Sequence, residues 1–196
     1  MDNRTFFNSI ADKWDEIAQH DPEKINVILD FVQIKPNSNI LDVGTGTGIM
    51  IPYYNERILG NGSIVAVDIA ENMIELAKQK NKDTNVKFLT GDILKINLPI
   101  KQFDYIFCYS MFPHFEDKEK AISVLAGYLA LNGKLIICHS QSRDEINELH
   151  KSPCQVAESS YLPTAPKIQD YFKKALLTPI QTVDNAEIFV LIAQKL

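Results

Sequence analysis

The chain has 196 residues, 45% hydrophobic and 23% charged, with a formal net charge of −5, a balance expected of one globular domain with a sizeable core. No apolar run approaches the ~20 residues that cross a bilayer, and the opening MDNRTFFNSIADKWDE is too polar and acidic for a signal peptide. The acidic balance disfavours broad electrostatic binding to nucleic acid, and the three cysteines, Cys108, Cys138 and Cys154, lack metal-type spacing and read as free thiols of a cytoplasmic protein.

An amphipathic helix is expected over residues 4–19, where Phe6, Phe7, Ile10, Trp14 and Ile17 recur at helical spacing. Asp21-Pro22 reads as an N-cap followed by proline at the first helical position, opening a helix to residue 34. NILDV (39–43) is the first strand, ending in the glycine turn GTGTG. A helix follows from about residue 48 to 59, with Pro52 in its first turn and Gly60-Asn61-Gly62 as its stop. SIVAVD (63–68) is the second strand, and ENMIELAKQK (71–80) a helix with Met73, Ile74 and Ala77 inward. VKFLT (86–90) is the third strand, with GDILKINLPIKQ as loop, and FDYIFCYS (103–110) is the fourth. A helix over 117–131 stops at Asn132-Gly133, and KLIICHS (134–140) is the fifth strand. Ser142 and Glu145 form a capping box for a helix reaching His150. After a loop holding Pro153, Pro163 and Pro166 come a helix near 167–177 and two strands, about 180–183 and 187–194, joined by Asp184-Asn185-Ala186.

Strands separated by helices predict an α/β fold, a single doubly wound, mostly parallel sheet with helices on both faces. The last two strands are too close in sequence for a helical crossover, so they form a hairpin and one edge strand must run antiparallel. No internal repeat is present.

Ligands of such sheets bind beyond the carboxyl ends of the strands, where the glycine turn falls. Gly44, Gly46 and Gly48 are spaced G-x-G-x-G, and Ile49 stands where the dinucleotide fingerprint needs its third glycine. There is no G-K-[ST] either. The ligand expected is a nucleoside without a pyrophosphate. Asp68, at the end of the second strand, suits a ribose diol because one carboxylate can accept both hydroxyls. Asp92 follows the third strand at the same edge; it could accept from an adenine amine, with Ile93 supplying its N–H and an apolar wall.

With these pieces in place, the chain resembles the class I S-adenosylmethionine (SAM)-dependent methyltransferases. The resemblance rests on ILDVGTGTG, VAVDIAENMIELAK, VKFLTGDI, FDYIFCYSMFPHFED and LALNGKLIIC. It implies seven strands in the order 3-2-1-4-5-7-6 with strand 7 antiparallel, and SAM as cofactor. It implies that Asp42, Gly44 and Gly46 face the methionine part, Gly48 belonging to the same cofactor-binding turn. Asp68 would bind ribose, Ile69 and Met73 would flank the adenine, and Asp92 and Ile93 would lie at its far edge. Tyr109 and Ser110 would pass under the sulfonium. One domain, 1–196, is expected: helices over 1–36 covering the site, a cofactor-binding core over 37–140, and acceptor-side helices with the closing hairpin over 141–196.

Methyl transfer from a sulfonium is an in-line displacement that depends mainly on alignment and excluded water. A base matters only where the acceptor has a proton to lose. His114 in YSMFPHFED is the candidate, since an imidazole with a pKa near ~6.5 suits that role. The loop after the fourth strand has neither the Asp/Asn-Pro-Pro-aromatic run of DNA amino-methyltransferases nor a Pro-Cys nucleophile, so a small-molecule acceptor is expected, with no nucleic-acid or membrane partner. A protein or RNA methyltransferase, and a SAM-binding regulator without catalysis, are the alternatives. Trp14, with Phe6 and Phe7, is expected to close the site. In CHSQSRDEINELHKSPC, His139 leaves the fifth strand, and Arg143, Asn147 and His150 share a helix face at i, i+4, i+7. These four are the expected acceptor contacts, Arg143 gripping an anion bidentately. His139, His150 and Cys154, with His114, are the only metal-ligand set in view; without dedicated spacing no metal is expected.

Overall fold

The computed structural model describes residues 2–18, 20–98, 102–149 and 160–196. Its strands are β1 Asn39–Val43, β2 Ser63–Asp68, β3 Val86–Thr90, β4 Phe103–Tyr109, β5 Leu129–His139, β6 Leu177–Asp184 and β7 Phe189–Lys195. They form one sheet in the order β3-β2-β1-β4-β5-β7-β6. The helices are α1 Asn3–Ile10, α2 Trp14–Ile17, α3 Pro22–Val32, α4 Ile51–Ile58, α5 Glu71–Lys80, α6 Lys118–Tyr128, α7 Arg143–Leu149 and α8 Ala165–Lys174.

The inner strands bury both faces, so their side chains alternate between two cores. Leu41, Ile106, Cys108, Leu135 and Ile137 pack with α6 and α8 through Ile122, Leu125, Ile168 and Phe172. Ile40, Phe107, Tyr109, Ile136 and Cys138 pack with α3 and α4 through Ile25, Leu29, Ile51 and Tyr54. The caps form as their residue types dictate. Asp21 accepts from the Glu23 and Lys24 amides ahead of Pro22, and the capping box closes, with Ser142 N donating to Glu145 Oε2 (2.9 Å) and Glu145 N to Ser142 Oγ (3.2 Å).

Four expectations change. The N-terminal helix is not continuous: a tight 3₁₀ turn, Ala11–Lys13, separates α1 from α2. Seven residues of straight helix would set Phe7 and Trp14 ~10 Å apart along the axis; the break brings their rings to 5.4 Å and lets buried Ala11 meet Ala70 and Met73. Residues 129–133 belong to β5 and not to the preceding helix, which ends at Tyr128. Asn132 takes a φ of 62° there, and pairing shifts from Phe103↔Leu129 to Tyr105↔Lys134. A Cβ on Gly133 would stand 2.7 Å from the Phe103 carbonyl, which explains why glycine occupies that irregularity. β6 begins at Leu177 and includes Pro179, tolerated because β6 is an edge strand. The antiparallel strand is also not an edge: β7 lies between β5 and β6 and runs against both.

The carboxyl ends of β1 to β4 thus gather above one edge, with α1 and the 3₁₀ turn packed nearby against α5. Among the described residues no helix is long and apolar enough to cross a membrane.

Candidate active site

The glycine turn hangs from the end of β2. Gly44 N and Thr45 N both donate to the Val67 carbonyl, at 2.8 and 3.0 Å, and Gly46 N donates to Asp68 Oδ2 at 2.9 Å. Gly44, Gly46 and Gly48 all have positive φ, at 67°, 55° and 83°. A Cβ on Gly44 would strike Met111 Cβ and Cγ at 2.8 Å, and one on Gly48 would stand 2.6 Å from Asn81 Nδ2. At Gly46 the nearest group is the Trp14 ring nitrogen, 3.5 Å away.

Two buried carboxylates shape this turn. Asp42 Oδ2 accepts from Thr45 Oγ1 (2.6 Å) and Oδ1 from the Tyr54 hydroxyl (3.1 Å). Burial pushes its pKa up to about 6, against those two hydrogen bonds, and the charge of Asp68 adds to the rise. Asp68 is also raised by burial, although the Ala70 and Gly46 amides oppose the shift. One backbone donor on each Asp68 oxygen fixes the carboxylate plane and leaves lone pairs for further donors.

Above the turn lies a cavity of about 580 Å³, within the range of small-molecule sites. Of the expected cofactor residues, Asp42, Gly44, Gly46, Asp68, Ile69, Met73, Asp92, Ile93, Tyr109 and Ser110 line it. Gly48 is not in the wall; its missing Cβ makes room for Asn81, Ile51 and Ala77. Asp92 Oδ1 accepts from Leu94 N at 3.0 Å, and Lys95 pairs with its other oxygen at 3.0 Å. The set fits a SAM-like molecule: an oriented carboxylate for a diol, apolar Ile69, Met73 and Ile93 for a base, and a turn without side chains for close approach.

His114 and Trp14 also line the cavity. The His114 ring packs edge-on against Phe7, centroids 5.1 Å apart, and its carbonyl accepts from Asn3 Nδ2 at 2.9 Å. The structure places the other described acceptor-side candidates away from this cavity. His139 is buried outside the cavity wall, 1% exposed, with its ring edge-on to Phe189. Arg143 opens onto a separate shallow pocket beside Asn185 and Ala186, paired with Asp144 at 2.8 Å and lying 3.8 Å from Asp184. Asn147 clamps the chain at Leu162, donating to its carbonyl (3.1 Å) and accepting from its amide (2.7 Å). The polar face of α7 is therefore taken up by the β6–β7 turn and by residue 162. His150 and Cys154 lie outside the described residues. Among the described residues no three metal-ligating side chains cluster.

The structure adds residues that carry no motif. Arg4 and Asn8 bind Glu71, Asn72 bonds Asn8 twice, and Thr47 Oγ1 donates to Asp15 at 2.6 Å. These contacts fasten the N-terminal segment to the cavity rim. His20 lines the cavity, with Nδ1 3.0 Å from the Tyr109 hydroxyl. Only the apolar spacing of Phe7 and Trp14 signalled this segment; its polar partners are too distant in sequence to show a pattern.

A family model described as a methyltransferase domain matches residues 41–137. A malonyl-[acyl-carrier protein] O-methyltransferase of Bacillus anthracis is 25% identical over 189 residues, covering 94% of this chain and 69% of the relative. The chain spans about half the length of several other curated relatives. A SAM-dependent methyltransferase from Aquifex aeolicus superposes with a TM-score of 0.74 at 21% identity, over 96% of this chain and 98% of that one. Magnesium protoporphyrin IX methyltransferase from Synechocystis PCC 6803, solved with bound S-adenosylhomocysteine (SAH), gives 0.73 at 19% identity, over 98% and 97%.

Proposed function

We propose that this chain, which belongs to the class I SAM-dependent methyltransferases, methylates a small-molecule acceptor held in the same cavity as its cofactor. The observation that carries the reading is continuity: one space of about 580 Å³ runs from the Asp68 and Asp92 edge to the Phe7, Trp14 and His114 cap. When bound, SAM supplies a methyl group already activated on a sulfonium. The protein's work is then to orient, desolvate and handle a proton.

In this reading Asp68 takes the ribose hydroxyls on its remaining lone pairs, and Ile69 and Met73 flank the adenine. Asp92 and Ile93 meet its far edge. Asp42, locked by Thr45 and Tyr54, holds the glycine turn in shape and supplies negative charge near the methionine part. The α1 and α2 residues exclude water. Where the acceptor carries a proton, an imidazole of the wall removes it. His114 and His20 are the two on the described wall.

The curated relatives named for malonyl-[acyl-carrier protein] and for demethylmenaquinone are named for an acyl group on a carrier and for a small molecule, neither a nucleic acid, which supports a small-molecule acceptor group here. The test is a metabolite extract incubated with methyl-labelled SAM and read for the compound that gains label. Binding of NADH in preference to SAM overturns the assignment; label found only in RNA or in protein side chains overturns the acceptor class.

A further inference from the structure

His20 lies three residues past the end of α2 at Ile17 and precedes the Asp21 N-cap of α3. Its Nδ1 is 3.0 Å from the Tyr109 hydroxyl, which is 2.9 Å from Ser140 Oγ. Tyr109 and Ser140 are both buried, 5% and 4% exposed. The chain His20–Tyr109–Ser140 thus links the N-terminal segment to the carboxyl ends of β4 and β5. Asp42 pairs with Phe107 in the sheet, so Tyr109 is level with Gly44 two residues on. That places the imidazole at the glycine turn, on the wall of the cavity.

We propose that His20 is the general base for methyl transfer, accepting the acceptor's proton on Nε2 while Tyr109, itself held by Ser140, orients the ring through Nδ1. The proposal rests on the methyltransferase reading above and names the group that completes it. As the acceptor's heteroatom forms its bond to the methyl carbon, the carbon–sulfur electron pair stays on sulfur. The displaced proton passes to Nε2, and the imidazolium returns it to solvent.

The surroundings suit the role. Burial lowers the pKa of His20, so the ring is neutral and able to accept a proton at neutral pH. Asp15, from α2, is the charged group acting on it and opposes that shift, but its carboxylate already binds Thr47 and Lys80. Burial raises the Tyr109 hydroxyl, so Tyr109 stays protonated and serves as a positioning residue. Base action on Nε2 requires the proton of the neutral ring to sit on Nδ1, donating to the Tyr109 oxygen, with the Tyr109 hydroxyl donating to Ser140.

That requirement can be read directly. The full chain, labelled with 15N-histidine and saturated with SAH, is observed by long-range 15N–1H NMR, the His20 signals being assigned by their loss in His20→Gln. The expected result is a neutral His20 at pH 7 in the Nδ1–H tautomer, converting toward Nε2–H in Tyr109→Phe. An Nε2–H ring in wild type, a charged ring at pH 7, or no tautomer change in Tyr109→Phe overturns the proposal. In parallel, His20→Gln should lower transfer of label from SAM into a metabolite extract by ~10²–10⁴-fold while SAM still binds. Wild-type label transfer by that variant overturns the proposal. Failure of the wild-type chain to bind SAM or SAH overturns the methyltransferase reading instead, so the two failures are distinct.

Discussion

Asp42 stabilises the site's shape at a cost to the fold, and that cost can be measured. Its folded pKa is about 6 against a reference of 3.8, chiefly because it is buried. A carboxyl raised in the folded state binds its proton more tightly there than in the unfolded chain. Below about pH 4 the group is protonated in both states and costs nothing. Between about pH 4 and 6 the unfolded chain ionises first, so the stability from this group falls as pH rises, and above that window the loss is complete. At ~1.4 kcal/mol per unit, the shift sets a ceiling of about 3 kcal/mol. Asp42→Asn removes the charge but accepts from only one of Thr45 and Tyr54, which costs about 1 kcal/mol. The net gain above pH 7 is then about 2 kcal/mol, or roughly 4–8 °C in Tm for a chain of this size.

The assay is thermal unfolding of wild type and Asp42→Asn from pH 4.5 to 8 without ligand. The two curves should diverge as pH rises, the variant becoming the more stable. Asp68 is also raised by burial and gives a slope of the same sign in both proteins, so their difference reports Asp42 together with its charge coupling to Asp68. With SAM added the order should narrow or reverse, because a cationic ligand favours ionised Asp42 and the amide cannot respond; SAH, lacking the sulfonium, should do so less. Curves that stay parallel across the range would refute the argument, since the buried charge would then carry no penalty.

Asp68→Ala should weaken SAM and SAH equally, by ~10–150-fold in Kd for a lost charged hydrogen bond worth ~1.5–3 kcal/mol; unequal losses by calorimetry would put Asp68 near the sulfonium instead. Gly48→Ala should act on stability, because its Cβ meets Asn81 and Ile51 and the left-handed backbone adds ~1–2 kcal/mol, leaving SAM affinity of the folded fraction intact. Gly46→Ala should instead weaken SAM binding beyond its loss in Tm, since its Cβ would enter the ligand's side of the turn; the reverse pattern in calorimetry and melting would exchange the two roles. Arg143→Ala should leave SAM affinity and the acceptor KM unchanged, because the guanidinium serves Asp144 and Asp184; a raised KM would return α7 to the acceptor site.

The strand-end wall of the cavity was legible because it is local. β1, β2, α5 and β3 fall where strand alternation and helix spacing put them, and the expected ligand contacts, Met73 of α5 apart, sit at a strand end or in the turn that follows. A strand, a tight turn and an acidic residue within a few positions fix the direction of a side chain before any tertiary contact forms. The acceptor side is assembled from distant pieces. Arg143 and Asn147 do lie four residues apart on α7, but spacing cannot say which neighbour that face meets. The answer depends on Asp184, reached through the hairpin, and on Leu162, held by Asn147 from 15 residues away. His20 and Tyr109 are 89 residues apart and Asn3 and His114 are 111, so neither pair leaves a periodicity to read.

The break between α1 and α2 ties these observations together. A continuous helix over 4–19 would present Phe7 and Trp14 on one stripe and carry the chain onward along a single axis. The 3₁₀ turn at Ala11–Lys13 folds that axis, so Phe7 reaches His114 while Trp14 stands over Gly46. Past α2, His20 reaches Tyr109 before Asp21 opens α3. One short irregular turn therefore sets the cap over the glycine turn, and the segment it leads into ends at the imidazole on the cavity wall. A substitution that straightens this turn should disturb both at once: Trp14 would leave the glycine turn and the His20 ring would lose its Tyr109 partner. Coupled loss of SAM affinity and of the His20 tautomer in such a variant, with α5 and the sheet intact by hydrogen exchange, is the expected signature. Loss of one without the other would mean that the cap and the imidazole are positioned independently.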